Sequence, residues 1–179
     1  MSLKTELEKR WLVYQVSNEE LFDKYEKGNE ALYCWFDPTA DSLHLWNFIG
    51  FMVAVHFMLK NNKYIAIVGW ATWMIWDPWG KDAERSFLDE ETLRKNEQAI
   101  RKQIWEILKN IETITWKKLK YEVINNYDFF KDMTLLDFLR NIGKYITVNN
   151  MIKKETVRKR IEDPDKSISY TEFSYMLLQ

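Results

Sequence analysis

The residues best suited to chemistry stand in a loop that follows a short apolar run. The loop begins at Asp37 and ends in H-L-W-N, His44 to Asn47, at the start of a long apolar segment. The first turn of a helix carries unpaired N–H groups and the positive end of the helix dipole, so it attracts phosphate, and a histidine there can donate to phosphate oxygens. The pattern therefore points to a phosphate-bearing ligand. The alternative is that His44 only caps the helix.

An alternation of strands and helices is predicted to position this loop. Compact apolar runs bounded by turn residues predict strands, and longer apolar or amphipathic segments predict helices. The predicted order is strand Ala31–Phe36, helix Leu43–Lys60, strand Tyr64–Val68, helix Asp89–Asn110 and strand Tyr121–Asn125. Strand–helix–strand units make parallel crossovers, so we expect an open parallel α/β sheet. Ligands of such sheets bind beyond the carboxyl ends of the strands, where the loops Asp37–Asn47 and Gly69–Lys81 begin.

Shorter helices are predicted on both sides of this core. They cover Leu3–Trp11, Asn18–Tyr25, Leu135–Ile142, Val148–Ile152 and Glu155–Ile161. Ser17 with Glu20 forms a capping-box pattern, and Asp41 with Ser42 is expected to cap the long apolar helix. Helical spacing continues to Gln179 with no stop signal, so we expect the chain to be cut within a helix.

Composition excludes several classes of protein. The formal net charge is −1, from 26 basic and 27 acidic residues, so no global field gathers nucleic acid. Cys34 is the only cysteine and His44 and His56 the only histidines, which excludes an internal disulfide and argues against a protein-bound metal. The apolar run Phe48–Leu59 is well short of the ~20 residues that cross a bilayer, and the N-terminus lacks a secretory signal. We expect a cytoplasmic protein without a membrane partner.

Tryptophan and glycine occur in unusual proportions. The chain has nine Trp and five Gly, and Trp70, Trp73, Trp76 and Trp79 recur at intervals of three within V-G-W-A-T-W-M-I-W-D-P-W-G-K. Apart from the tryptophans, this stretch is typical of a turn-rich loop beside a nucleotide.

The segment Y-C-W-F-D-P-T-A-D-S-L-H-L-W-N, from Tyr33 to Asn47, resembles the first signature of bacterial-type tyrosyl-tRNA synthetases. The resemblance continues through the tryptophan-rich stretch, N-N-Y-D-F, F-L-R-N-I-G-K and T-E-F-S-Y-M-L-L-Q. It implies a class I, HUP-type Rossmann-like sheet, with residues 1–179 as the N-terminal part of the nucleotide-binding catalytic domain. The rest of that domain, including the K-M-S-K-S loop, and the C-terminal tRNA-binding region are not in this sequence, so we expect an incomplete and inactive fragment.

The resemblance assigns roles to individual residues. Tyr33, Asp77, Tyr175 and Gln179 would bind the tyrosine substrate, whereas Cys34, Asp37, Thr39, His44 and Asn47 would bind ATP. Lys81 and Arg85 would join Thr39, His44 and Asn47 in catalysis, by stabilising the charge of the leaving pyrophosphate. The residues alone allow plainer interpretations. Tyr33 and Tyr175 could be packed tyrosines, Cys34 a small buried hydrophobe, and Lys81 and Arg85 solvated surface charges.

The resemblance also implies partners. They are L-tyrosine, ATP with accompanying Mg²⁺, tRNA(Tyr) and a second copy of the chain, which would dimerise through helices between Asn126 and Tyr170. The basic residues Lys153, Lys154, Arg158, Lys159 and Arg160 are either a tRNA contact or a solvated helix face, and the second interpretation is the commoner one. Two alternatives stay open. One is a tryptophanyl-tRNA synthetase-like relative, and the other is a noncatalytic aromatic-rich binding module.

The sequence departs from the family pattern at glycines. Tryptophan replaces signature glycines at Trp35, Trp46, Trp70, Trp73 and Trp76, and another glycine at Trp11, while Trp79, Trp105 and Trp116 lie outside glycine signatures. A ring at Trp46 would fill the adenine pocket. Each overpacked site costs about 1–3 kcal/mol, so several around one pocket would consume the stability of a domain. Our hypothesis is that these tryptophans are UGA codons that the source organism reads as glycine.

Overall fold

The computed structural model describes residues 1–74, 90–163 and 168–178, and within them a three-stranded parallel sheet. The strands are β1 (Ala31–Phe36), β2 (Lys63–Val68) and β3 (Lys120–Asn125), in the spatial order β1-β2-β3. Tyr33 pairs in register with Ile65, and Ile65 with Glu122. The predicted open parallel sheet is confirmed, and each strand lies within one residue of its predicted bounds.

The two long helices connect the strands and pack on one face of the sheet. They are α3 (Leu45–Met58) and α5 (Glu90–Thr115). Because side chains alternate along a strand, the residues of one parity face these helices, and both crossovers deliver their apolar side chains to the same core. The buried residues that form this core are Phe36, Phe51, Ala54, Val55, Met58, Tyr64, Ala66, Val68, Ile100, Ile104, Leu108 and Leu119.

The opposite face of the sheet is less covered. It carries the residues of the other parity, among them Tyr33, Trp35, Ile65 and Ile67. The Tyr33 side chain is 63% exposed, Trp35 and Ile65 are half-buried, and Ile67 is buried. Burial on this face therefore increases from the amino ends of β1 and β2 toward their carboxyl ends.

Shorter helices surround the sheet. They are α1 (Leu3–Lys9), α2 (Leu21–Lys27), α4 (Trp70–Met74), α6 (Tyr127–Phe130), α7 (Leu135–Asn141), α8 (Val148–Ile152), α9 (Glu155–Glu162) and α10 (Tyr170–Ser174), with 3₁₀ turns at Gly143–Tyr145 and Tyr175–Leu177. The predictions for α1, α7, α8 and α9 are confirmed, whereas α4 and α6 were not predicted. No helix in the described ranges is both long and apolar enough to span a bilayer.

Both predicted N-caps are wrong. Helix α2 begins at Leu21, and the side chain of Asn18 accepts a hydrogen bond from the Glu20 N–H at 3.0 Å, so Ser17 does not cap it. Helix α3 begins at Leu45 with His44 as its cap residue, so Asp41 and Ser42 lie outside its first turn. In both places the helix begins later in the sequence than the predicted cap residues imply.

Two tryptophans follow helices in a left-handed backbone conformation. Trp11 comes after α1 with φ 58°, and Trp116 comes directly after α5 with φ 55°. The residue beyond a helix end commonly takes this conformation and is usually glycine, because a β-carbon is disfavoured there. The structure thus adds Trp116 to the tryptophans that stand at glycine-like positions.

Candidate nucleotide and amino acid site

Helix α5 fixes the loop that follows β1. The Asn96 amide donates to the Pro38 carbonyl at 3.1 Å in a buried contact, and the Leu43 N–H donates to the side-chain oxygen of Gln103 at 2.7 Å. The two bonds hold the loop near each of its ends. Sequence analysis missed Asn96 and Gln103, because a polar side chain on an amphipathic helix carries no sign of which backbone group it bonds.

His44 and Asn47 form the start of α3. The Asn47 side-chain oxygen accepts from the His44 N–H at 3.1 Å, and the Asn47 N–H donates to the His44 carbonyl at 3.0 Å. His44 and Thr39 are exposed to solvent. His44 therefore has the cap position of the plainer interpretation, and its exposed ring also lies at the positive end of a 14-residue helix.

Asp37 links the end of β1 to the 3₁₀ turn Tyr175–Leu177. One carboxylate oxygen accepts from the indole N–H of Trp35 at 3.0 Å, and the other accepts from the Tyr175 hydroxyl at 3.5 Å. Tyr175 is 2% exposed. The structure thus brings together two predicted site residues that are 138 positions apart in sequence.

Buried polar contacts order the chain directly after β2 and join it to the end of β3. The Thr72 hydroxyl donates to the Gly69 carbonyl at 2.8 Å, and the Ala71 N–H donates to the Asn126 side-chain oxygen at 2.7 Å. The Asn126 side-chain nitrogen is buried and meets no hydrogen-bond partner among the described residues. Sequence analysis missed Thr72 and Asn126, although the pair Asn125–Asn126 at the end of a predicted strand was a usable signal.

Tyr33 and Cys34 point to opposite faces of the sheet. Tyr33 is on the open face, whereas Cys34 faces the core, where a β-carbon added to Gly50 would lie 3.7 Å from its Sγ. Burial raises the pKa of the Cys34 thiol. Burial also raises the pKa of the neighbouring Tyr64, and its interaction with the Cys34 thiol adds to the rise. Cys34 is therefore a protonated thiol at neutral pH, unsuited to nucleophilic chemistry.

Several predicted site residues lie outside the described residues, namely Asp77, Lys81, Arg85 and Gln179. Within the described part of the chain, no group of three His, Cys, Asp or Glu residues can hold a metal ion.

The tryptophans with described side chains do not form a common binding platform. Trp70 is 9% exposed and packs on Tyr127 with ring centroids 4.8 Å apart, with Arg94 5.1 Å from its centroid. Trp46, at the start of α3, is instead 78% exposed. Among these side chains, only isolated rings are available to an aromatic ligand.

Comparison with known proteins gives one consistent result. The family described as tRNA synthetases class I (W and Y) matches residues 25–179. The chain is 45% identical over 174 residues to a tyrosine–tRNA ligase of Ureaplasma urealyticum, covering 97% of this chain and 39% of that protein. It is 44% identical over 182 residues to a tyrosine–tRNA ligase of Bacteroides fragilis, covering 100% and 41%. The chain thus spans about two fifths of the length of these curated relatives.

A solved structure agrees with the sequence relatives. The C-terminally truncated Aspergillus nidulans mitochondrial tyrosyl-tRNA synthetase superposes with a TM-score of 0.81 at 26% identity, over 99% of this chain and 51% of that one. The family match covers most of the chain, and the parallel sheet with its site loops at the strand ends is the Rossmann-like arrangement expected of it. The chain belongs to the class I tRNA synthetases of the W and Y group.

Proposed function

We propose that this chain is the nucleotide-binding part of a tyrosine–tRNA ligase, which activates L-tyrosine with ATP and transfers it to tRNA(Tyr). The observation that carries the proposal is identity of 42–45% with tyrosine–tRNA ligases along essentially the whole chain. The family itself includes tryptophan enzymes, so the choice of amino acid rests on these relatives.

The proposed tyrosine site lies on the open face of the sheet. The exposed Tyr33 would hydrogen-bond the substrate phenol, and Asp77, Tyr175 and Gln179 would hold its ammonium group. Tyr175 supports this assignment because its buried hydroxyl already bonds a carboxylate at the end of β1. A hydroxyl held in this way is pre-oriented, which reduces the entropic cost of binding.

The proposed ATP site extends from the loop after β1 to the start of α3. Asp37, Thr39, His44 and Asn47 would lie along the phosphates, and Cys34 would lie near the ribose. The tyrosine carboxylate attacks the α-phosphorus, the bond to the bridging oxygen breaks, and pyrophosphate leaves with its charge stabilised by Lys81 and Arg85. Mg²⁺ would arrive bound to the ATP phosphates. Catalysis of this kind needs positioning and electrostatics rather than a covalent enzyme intermediate.

The proposed homodimer would use an apolar surface between α7 and α8. Its exposed residues are Leu135, Leu136, Tyr145, Val148 and Ile152. Exposed large apolar side chains that recur within one stretch of sequence are a feature that a protein interface would explain. Replacing Leu136, which is 75% exposed, with lysine should leave the fold intact and produce monomers in sedimentation velocity. A dimer that survives Leu136→Lys at unchanged affinity would place the interface elsewhere.

We do not assign the basic residues of α9 to tRNA. Lys159 pairs with Glu155 at 2.6 Å and Arg158 with Glu162 at 3.9 Å, so part of the positive charge is balanced within the helix. This pattern favours a solvated helix face. The proposed reaction would take place in the cytoplasm, where tRNA is charged.

Titration calorimetry with L-tyrosine, L-tryptophan and L-phenylalanine tests the proposal. It would be run on the chain and on a variant with glycine at the five signature positions, Trp35, Trp46, Trp70, Trp73 and Trp76. L-Tyrosine should bind best, and Tyr33→Phe should weaken it about tenfold, because one hydrogen bond to the phenol is lost. Preference for L-tryptophan would favour the tryptophan branch. Affinity for aromatic rings without any preference for amino acids would favour a binding module.

A further inference from the structure

We propose that Gln103 is a positioning residue for the loop that follows β1, and that its side-chain oxygen sets the direction in which the chain enters α3. In this role it governs affinity for the phosphates of ATP and leaves affinity for L-tyrosine unchanged. The naming of the two ligands rests on the proposed function, whereas the hold on the loop rests on the structure alone.

Two side chains of α5 hold the loop at two points. Asn96 and Gln103 are about two helical turns apart, so they lie on the same face of α5. Asn96 donates to the Pro38 carbonyl at 3.1 Å, and Gln103 accepts from the Leu43 N–H at 2.7 Å. Pro38 is buried and Leu43 is half-buried, whereas the residues between them are exposed. The loop is therefore fixed at both ends and open to ligands between them.

The Gln103 bond lies directly before the start of α3. The next N–H along the chain, that of the cap residue His44, donates to the Asn47 side chain at 3.1 Å. Two successive N–H groups thus point to protein acceptors and are not offered to a ligand. The N–H groups of the first helical turn, at Leu45 and Trp46, have no acceptor within the helix. A phosphate can reach these donors together with the exposed His44 ring, and the backbone N–H at position 46 is the same for tryptophan and for glycine.

Loss of the Gln103 oxygen would release this arrangement. The Leu43 N–H would then be half-buried without an acceptor, and leaving a donor in that state costs more than an average hydrogen bond contributes. The chain before α3 would move to bring the N–H to water, and the donors of the first turn would no longer be held ready for a phosphate. Binding would have to restore their order first, which lowers affinity.

The bond is remote from the residues assigned to L-tyrosine. The Leu43 side chain packs against the core on the helix-covered face, whereas Tyr33 is on the open face of the sheet. The contact between Asp37 and Tyr175 is at the opposite end of the loop. A change confined to Gln103 should therefore disturb the phosphate donors and not the tyrosine site.

Three substitutions on α5 separate the acceptor oxygen from the bulk of the side chain. Gln103→Met keeps the length but removes the acceptor, and it should lower the association constant for Mg-ATP about fivefold, the effect of one ordinary hydrogen bond, with L-tyrosine affinity changed less than threefold. Gln103→Glu keeps an acceptor oxygen and should bind Mg-ATP within threefold of the parent. Gln98→Met, the same change at an exposed position of α5, is the matched control and should leave both affinities unchanged. Titration calorimetry measures all of them, on the chain and on the variant with glycine at the five signature positions.

The outcomes distinguish this inference from the proposed function. Mg-ATP affinities within threefold for parent and Gln103→Met, including no detectable binding in either background, overturn the positioning role whether or not L-tyrosine binds. Equal weakening of both ligands, or a loss that Gln103→Glu or Gln98→Met shares, also overturns it, because the effect is then a general disturbance of packing. A loss of Mg-ATP affinity that Gln103→Glu restores, in a chain that does not bind L-tyrosine, supports the positioning role and contradicts the proposed substrate.

A further readout needs no ligand. The Leu43 amide should exchange with solvent about fivefold faster in Gln103→Met than in the parent and in Gln103→Glu, as measured by NMR. Equal exchange rates in the parent and in Gln103→Met would show that the bond does not hold the loop.

Discussion

Replacing Trp116 with glycine should stabilise the protein, although the substitution removes the largest side chain in favour of none. Trp116 follows α5 with φ 55°, and its side chain is 93% exposed. A residue with a β-carbon loses about 1–2 kcal/mol in the left-handed conformation, whereas glycine adopts it freely. The exposed ring contributes almost no burial, so its removal costs little.

The expected gain follows from two opposing terms. Relief of the backbone strain is worth about 1–2 kcal/mol, and the added freedom of the unfolded chain at a glycine takes back about 0.4–1 kcal/mol. The free energy of unfolding should therefore rise by up to about 1.6 kcal/mol, with a midpoint of about 0.8 kcal/mol, which corresponds to about 2–3 °C in melting temperature for a chain of this size. Trp11 has φ 58° and comparable exposure, so Trp11→Gly should behave in the same way.

Matched controls come from the same helix and the same position. Trp105 lies within α5, is 48% exposed and has Lys109 at 4.6 Å from its ring, so Trp105→Gly should cost about 2–3 kcal/mol through lost burial and helix propensity. Trp116→Ala keeps the β-carbon and should give no gain. Urea titrations measure all three. If Trp116→Ala stabilises as much as Trp116→Gly, the benefit comes from removing an exposed ring, and the backbone argument is refuted.

Four further outcomes are expected. Because the pKa values of Cys34 and Tyr64 are raised in the folded protein, the unfolded chain loses these two protons at a lower pH. The free energy of unfolding should therefore fall as the pH rises above about 9, by up to ~1.4 kcal/mol per pH unit for each group. Urea titrations at several pH values should show a smaller fall in Tyr64→Phe. Asn96→Leu leaves a buried carbonyl without its donor and should cost about 1–3 kcal/mol, with faster amide exchange in the loop after β1. Gly69→Ala should cost about 1–3 kcal/mol, and thermal melts should show a smaller cost in a Trp35→Gly background, because the nearest atom to the new β-carbon is then gone. Nucleotide sequencing should find UGA at the tryptophan codons, and UGG throughout would end the codon hypothesis.

The strands were predictable because their signal is local. The run Ala31–Phe36 is apolar and bounded by turn residues, a pattern that predicts a strand without reference to distant parts of the chain. Helices α4 and α6 were missed because each is a single turn, held by contacts between chain segments. The Ala71 N–H at the start of α4, for example, bonds Asn126, 55 residues away, and no periodicity within α4 predicts that.

The sequence predicted which residues belong to the candidate site but not how they are arranged in space. The resemblance to the synthetase signatures sufficed to suggest amino acid binding by Tyr33 and Tyr175 and phosphate binding by Asp37, whereas the position of His44 at a helix start suggested phosphate binding by itself. Their arrangement depends on the hydrogen bond from the Trp35 indole to Asp37, which also accepts from Tyr175. The sequence does not reveal that these three side chains meet. The φ value of Trp116 was likewise invisible, because the sequence does not reveal that α5 continues five residues past Asn110.

The two hydrogen bonds from α5 to the loop after β1 also impose an order on synthesis. Their partners are separated by 58 and 60 residues. At about 5–20 residues per second, the ribosome needs roughly 3–12 s to make that stretch. During this interval the loop has emerged without the helix that shapes it. A nascent chain should therefore gain ligand affinity only after α5 leaves the exit tunnel, well after the strand and loop that contact the ligand.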